Sequence, residues 1–328
     1  MRNIFVILVL VFITSSINAS EIATGESASE SNGSSHTYII KNVNIIPMTN
    51  KNKVIEHASV VIKGKRIVAI NGDTPIDAEV IDGTGKWLIP GFIDMHIHGV
   101  TDTNFRAQQP TQGANFFFDT QNVMTPYIVN GVTTIFNLGA RPESFGQRNK
   151  IINEEAIGPR IALAKLLDGG QGLDKINSPS DGRQAVRSAK ADGYGFIKPY
   201  SNLSDETFWA IIDEAKKQDL GVIGHIPNTF RGRVKEALVP NFGMVAHAEE
   251  FAKDAKEYSD EEALLFAQMA KENNTWLTPT LTVMVWNSRH LRSLEYIKNL
   301  STLKYMYPIF QDKWIHHNRK NNNSTPSF

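Results

Sequence analysis

Four histidines and a lysine stand at or near the ends of short apolar runs: His96 and His98 in GFIDMHIH, Lys198 in GYGFIKPY, His225 in GVIGHI and His247 in MVAHAE. One residue separates His96 from His98. On a β-strand that spacing turns both side chains to one face, with Cα atoms about 6.5–7 Å apart. Two imidazoles so placed can converge on one ion at Zn–N distances of about 2.0–2.1 Å. Taken alone, an HxH pair is weak evidence, since paired histidines on a strand face are more often just hydrogen-bonded polar residues. His225 and His247 add weight because each closes a separate run, and the carboxyl ends of parallel barrel strands open on one cavity. Lys198 shares a strand face with Phe196 and Tyr200. Such a lysine either carries its ammonium out to water or a carboxylate, or is buried with a lowered pKa. A buried neutral amine can react with carbon dioxide, and the carbamate could bridge two metal ions about 3.5–4 Å apart.

These residues need a scaffold, and the apolar pattern supplies one. Residues 37–90 carry β-branched runs broken by Asn, Gly and Asp-Gly turns, the pattern of a small β unit. After Pro90 strands and helices alternate. The expected strands are 91–98, 132–138, 160–167, 193–200, 221–226, 244–249 and 275–283. Helical spacing appears at 205–218 after Ser204 and at 261–273 after Ser259, with Ser259 and Glu262 forming a capping box. Alternation of this kind implies a parallel sheet, either a (β/α)8 barrel or a doubly wound sheet. No GxGxxG or GxxxxGK[ST] loop follows a strand, which speaks against a nucleotide-binding doubly wound fold. Seven strands are readable, and 286–318 reads as helix. The expected fold is therefore α/β, a (β/α)8-type TIM barrel incomplete at seven strands, with a small N-terminal β-sandwich-like subdomain. The segment GGQGLD at 169–174 reads as a flexible turn without a role, and the loops 99–130 and 284–300 carry no readable specificity.

Composition narrows the chemistry. The 328 residues contain 34 Lys plus Arg and 34 Asp plus Glu, for a net charge of zero. That balance argues against an electrostatically driven nucleic-acid binder. There is no cysteine, so disulfides, thiolate metal sites and cysteine nucleophiles are excluded. Metal ligands must then be His, Asp, Glu or a modified Lys. Residues 1–19 combine Arg2, an apolar run from Ile4 to Ile13 and the small residues Ser15, Ser16 and Ala19, the layout of a signal peptide. The expectation is a periplasmic or secreted protein with no membrane association after cleavage. Residues 20–36 read as a flexible leader, 91–320 as the barrel and 321–328 as a tail.

The stretch WLIPGFIDMHIHG resembles the amidohydrolase superfamily, in which a strand ending in HxH follows a Pro-Gly turn and opens a metal-dependent barrel. GVTTIFNLG, GYGFIKPY, GVIGHIPN and MVAHAEEF resemble its second, fourth, fifth and sixth strands, and the likeness covers about 38–315. Within the superfamily the chain is most similar to the imidazolonepropionase-related and Xaa-Pro-dipeptidase-like branch. The resemblance implies two divalent ions, zinc suiting the nitrogen and oxygen ligands best. His96 and His98 would hold the first, His225 and His247 the second, and carboxylated Lys198 would bridge them. It further implies a bridging hydroxide attacking an amide or other C–N bond of a small peptide or cyclic amide. Asp94 would be a supporting carboxylate, and Tyr200 a possible substrate contact. The family's Asp at the end of an eighth strand finds no counterpart. Asp312 falls on an expected surface helix with His316 and His317, read as solvent-exposed. The resulting expectation is a C-terminally truncated member, with the alternative of a catalytically impaired scaffold that binds metal or ligand without turnover.

Overall fold

The computed structural model describes residues 36–49, 53–98, 119–172, 175–292, 294–308, 310, 311 and 315. The expected signal peptide, most of the leader, Asp312, His316, His317 and the tail lie outside the described residues. Contacts divide the chain into two compact units. One comprises the described residues up to Ile93 together with Val129–Thr134, and the other the rest.

The first unit holds a mixed five-stranded sheet. Its strands are β1 (Thr37–Ile45), β2 (Ile55–Lys63), β3 (Arg66–Ile70), β4 (Glu79–Asp82) and β5 (Trp87–Leu88). The order is β3-β2-β1-β4, with β5 also pairing β1. β1 is antiparallel to β2 and parallel to β4 and β5. Its core gathers Ile40, Val43, Ile45, Ala58, Val60, Ile62 and Leu88. Strict alternation would put Ile40 and Val43 on opposite faces. A register break between them, with Asn42 in the left-handed region at φ 57°, brings both to the core. Gly83 closes on this bulge, since a Cβ there would stand 2.7 Å from the Val43 Cβ and 2.8 Å from the Lys41 carbonyl oxygen.

The second architecture is an incomplete (β/α)8-type barrel. Seven strands follow one another in the order β12-β11-β10-β9-β8-β7-β6. They are β6 (Phe92–Ile97), β7 (Val132–Asn137), β8 (Arg160–Leu167), β9 (Phe196–Pro199), β10 (Gly221–Gly224), β11 (Phe242–Ala246) and β12 (Trp276–Thr278). The pairings from β8 through β12 are parallel. Between and after them lie α1 (Thr120–Val129), α2 (Pro142–Ile152), α3 (Pro179–Ala191), α4 (Asp205–Lys217), the short α5 (Val234–Ala237) and α6 (Glu249–Ala252), α7 (Asp260–Glu272), α8 (Leu281–Arg292) and α9 (Leu294–Lys298). Serine hydroxyls start three of them: Ser178, Ser204 and Ser259 accept from the backbone N–H three residues on. α4 buries Phe208, Ile211, Ile212 and Ala215 along one stripe, each large side chain contributing about 1.5–3 kcal/mol. Inside the sheet, Leu138, Ala164, Ile223 and Ala246 pack together with Phe136, Phe196 and Met244. No helix among the described residues is long and apolar enough to cross a membrane.

Three local expectations need correction. The run 275–283 is not one strand: β12 ends at Thr278, Pro279 lacks the N–H to continue a ladder, and α8 begins at Leu281. The expected 286–318 helix correspondingly starts earlier and breaks into α8, α9 and a 3-10 turn at Leu303–Tyr305. The described part of GGQGLD is a fixed turn: the Asn177 side-chain amide exchanges two 2.9 Å bonds with the Gly170 backbone. Gly169 also abuts Asn202 so closely that a Cβ would lie 2.2 Å from its carbonyl oxygen.

Candidate metal centre

The carboxyl ends of β6, β9, β10 and β11 bring all five predicted ligands together. His96 Nε2 lies 3.1 Å from His98 Nε2 and 3.2 Å from Lys198 Nζ. The rings continue as a chain. His96 and His247 centroids are 4.5 Å apart, His247 and His225 4.9 Å, and His225 and Tyr200 4.2 Å. Lys198 Nζ stands 5.5 Å from the Tyr200 ring.

Each member is positioned by its strand. Asp94 and His96 share a face of β6, and the Asp94 carboxylate turns back to accept the His96 backbone N–H at 3.1 Å. Asp94 is thus a local brace, and burial raises its pKa. Gly139, just past β7, makes room for His98, since a Cβ there would lie 2.9 Å from His98 Nδ1. Gly224 lets β10 close on β9 beside Lys198, where a Cβ would sit 2.4 Å from the Pro199 carbonyl oxygen. His225 follows β10 on the parity of Ile223, which faces the inner cluster. His247 breaks parity. Met244 and Ala246 face inward, so alternation alone would send His247 the other way. Its left-handed backbone, φ 82°, returns the ring to the site. The expectation that His247 lies within the strand is corrected accordingly: it is the residue after β11.

Burial sets the charge states. His96 is pushed down to about 2, chiefly by desolvation and then by Lys198 and the neighbouring imidazoles. His247 falls to about 4, again mainly by desolvation. Both rings are neutral at pH 7, as a ligand requires. Lys198 is fully buried, and desolvation lowers it to about 8 against an opposing pull from Glu250.

Two supporting residues escaped the sequence reading. Glu250, fully enclosed as a side chain, sits 2.8 Å from His225 Nδ1 and 2.7 Å from Lys253 Nζ, and it accepts the Ile226 N–H at 3.2 Å. Burial works to raise its pKa, but the bonds from His225 and Lys253 outweigh this and leave it lowered. Nothing in HAEEF marks Glu250 off from Glu249. Thr280, whose Oγ1 is 2.7 Å from His247 Nδ1, was hidden inside the misread strand.

The donors fit divalent ions. Two nitrogens about 2.0–2.1 Å from one tetrahedral ion lie about 3.3–3.4 Å apart, close to the 3.1 Å between His96 and His98. His225 Nε2 is buried without a hydrogen-bond partner while its Nδ1 faces Glu250. That is the arrangement of a metal-ligating imidazole backed by a carboxylate. Among the described residues no three His, Asp or Glu side chains form a ligand set by themselves. Here each ion would take two imidazoles and share Lys198.

Comparison with known proteins addresses the family and the fold. The profile described as Amidohydrolase family matches residues 87–311. A 5-methylthioadenosine/S-adenosylhomocysteine deaminase from Bacillus thuringiensis (strain Al Hakam) is 36% identical over 69 residues, 20% of this chain and 15% of that protein. An adenine deaminase from Desulforamulus reducens is 43% identical over 60 residues, 18% of this chain and 10% of that protein. Among solved structures, a putative prolidase from Bifidobacterium longum superposes with a TM-score of 0.56 at 18% identity, over 88% of this chain and 72% of that one. A bottromycin amidohydrolase gives 0.59 at 17% identity, over 88% and 61%. At such identities these likenesses establish the fold, while the profile match spans most of the barrel and establishes the family: the chain is a member of the amidohydrolase family.

Proposed function

We propose that this protein is a metal-dependent hydrolase acting on an amide or other C–N bond of a small peptide or cyclic amide. The observation that carries the reading is the gathering of four imidazoles and one buried lysine, with His225 Nε2 enclosed and unpartnered. The names of its relatives, two deaminases, a prolidase and an amidohydrolase, support the same class of bond. His96 and His98 would hold one ion, and His225 and His247 the other. Zinc suits this donor set best. The ions supply acidification of water and polarisation of the scissile carbonyl. The protein's part is to keep His96 and His247 neutral and to hold His225 against Glu250. Burial lowers Lys198 to about 8, which makes its free amine far more accessible near neutrality than that of an exposed lysine. That amine would add to the carbon of carbon dioxide, the C=O π pair moving to oxygen and one N–H proton leaving to water, and the resulting carbamate would be the donor Lys198 offers the ions. Tyr200, its ring 4.2 Å from that of His225 and tilted by 45° to it, would contact the substrate.

Reconstitution of chelated protein tests this. Two ions per chain are expected by elemental analysis, with a carbamate carbon signal on supply of ¹³C-bicarbonate. His96→Ala removes the first ion and Lys198→Ala removes the carbamate signal. A panel of dipeptides and cyclic amides is then assayed with the loaded protein. Two ions without turnover on that panel would turn the reading toward the metal-binding scaffold. Failure to bind any divalent ion would reject it.

A further inference from the structure

His247 and Thr280 are held together on three levels. Their chain segments join, since the His247 N–H donates to the Thr278 carbonyl at 2.9 Å and the Ala248 N–H to the Pro279 carbonyl, just before Thr280, at 3.2 Å. Their side chains meet at 2.7 Å. Both residues also occupy the left-handed region, His247 at φ 82° and Thr280 at φ 51°. For a β-branched residue that conformation is a genuine outlier, and such outliers persist where the surroundings over-determine them. Thr280 also opens α8, its carbonyl accepting from Val283 at 3.0 Å and Met284 at 3.4 Å. A threonine opening a helix ordinarily has extended backbone and turns its hydroxyl onto its own first turn. Here the backbone is left-handed and the hydroxyl lies on a histidine of the neighbouring strand end. The α8 start is arranged around His247.

We propose that Thr280 is the positioning residue for His247. Its Oγ1 accepts the Nδ1–H, which fixes one imidazole tautomer and leaves the Nε2 lone pair free for a metal. This rests on the metal-hydrolase reading above. It adds that the loop after β12, which contributes no ligand, determines the affinity of the His225–His247 ion.

The test compares Thr280→Ser, which keeps the hydroxyl, with Thr280→Val, which keeps the shape and removes it. Thr280→Gly serves as a third variant, because it removes the hydroxyl and relieves the left-handed backbone together. Long-range ¹H–¹⁵N correlation reads the His247 tautomer in the metal-free chain, and cobalt(II) titration reads affinity through its visible absorption. Wild type and Thr280→Ser are expected to show the Nδ1–H form alone. Thr280→Val and Thr280→Gly are expected to show mixed tautomers and a cobalt affinity lower by about 10–100-fold, with Thr280→Gly melting no lower than Thr280→Val. An unchanged tautomer and affinity in both hydroxyl-free variants would overturn the proposal while leaving the hydrolase reading intact. A wild-type chain that ignores cobalt yet loses its single tautomer in those variants would reject the hydrolase reading and retain the positioning.

Discussion

At the level of single side chains, the site depends on buried polar groups having partners. Glu250 satisfies three donors at once, from His225, Lys253 and Ile226. Glu250→Ala would leave the Ile226 N–H unpaired in the interior, leave the His225 Nδ1 only the Ser201 hydroxyl at 3.3 Å, and release Lys253. Loss of one partner from a buried charged pair is strongly unfavourable, and each stranded donor adds its desolvation. A loss of about 3 kcal/mol in urea denaturation is expected. Glu250→Gln keeps the shape and most of the hydrogen bonds but removes the charge that favours Nδ1–H on His225. Its stability loss should be smaller, while divalent-ion affinity falls about 10–100-fold. If the two variants were equal in both measurements, Glu250 would be a packing residue and its place behind His225 incidental.

The strands act as spacers that bring distant residues to one rim, and Gly224 shows how tightly they are set. A Cβ there would meet three backbone or ring atoms of Pro199 at 2.4–2.9 Å, none of which can swing aside. Gly224→Ala must therefore separate β9 from β10 between Lys198 and His225. Overpacking of this kind costs about 1–3 kcal/mol, and ion binding should fall with it. A variant that retained wild-type melting and metal content would show that the two strands can part without consequence. The same elements explain what a linear reading can and cannot see. His96 on β6 with His98 just after it, Lys198 on β9 and His225 after β10 obey strand parity, so period-two spacing revealed them. His247 disobeys it, and only the backbone angle at 82° explains its place. The end of β12 was missed because TWLTPTLTV carries four Thr and a Val among its nine residues, a strand-like composition. Pro279 was the available signal, a residue that breaks a ladder and precedes a helix start. Glu250 left no trace, since identical neighbours on a short helix differ only in which one points inward.

Across the whole molecule, the neutral imidazoles tie stability to pH. Lys plus Arg and Asp plus Glu balance at 34 each, so net repulsion changes little near neutrality. The buried site then dominates. In the folded, metal-free chain His96 takes its proton only near pH 2 and His247 only near pH 4, against 6.5 for each in the unfolded chain. Between pH 6.5 and 4 the unfolded state therefore binds more protons, and stability must fall as pH falls. Two such groups set an upper limit of about 2.7 kcal/mol per pH unit, reduced in practice because both rings are only partly enclosed. Lys198 carries the same sign at the other end. Its folded pKa is about 8 against 10.5 unfolded, so the free chain should gain stability as pH rises between those values. Below about 4.5 the lowered carboxyl of Glu250 adds a further loss on acidification, while the raised Asp94 carboxyl works in the opposite direction, so pH 4.5–6.5 is the window in which the histidines lead. Denaturant titrations of chelated protein across that window should give a falling stability on the acid side. The slope should halve in His247→Asn, which cannot take the proton in either state. A divalent ion should steepen it further by displacing protons from donors that still carry them in this window, Lys198 above all. A flat profile from pH 6.5 to 4.5, identical in wild type and His247→Asn, would mean that the rings are hydrated in solution and that the enclosed donor set, with the chemistry assigned to it, does not exist.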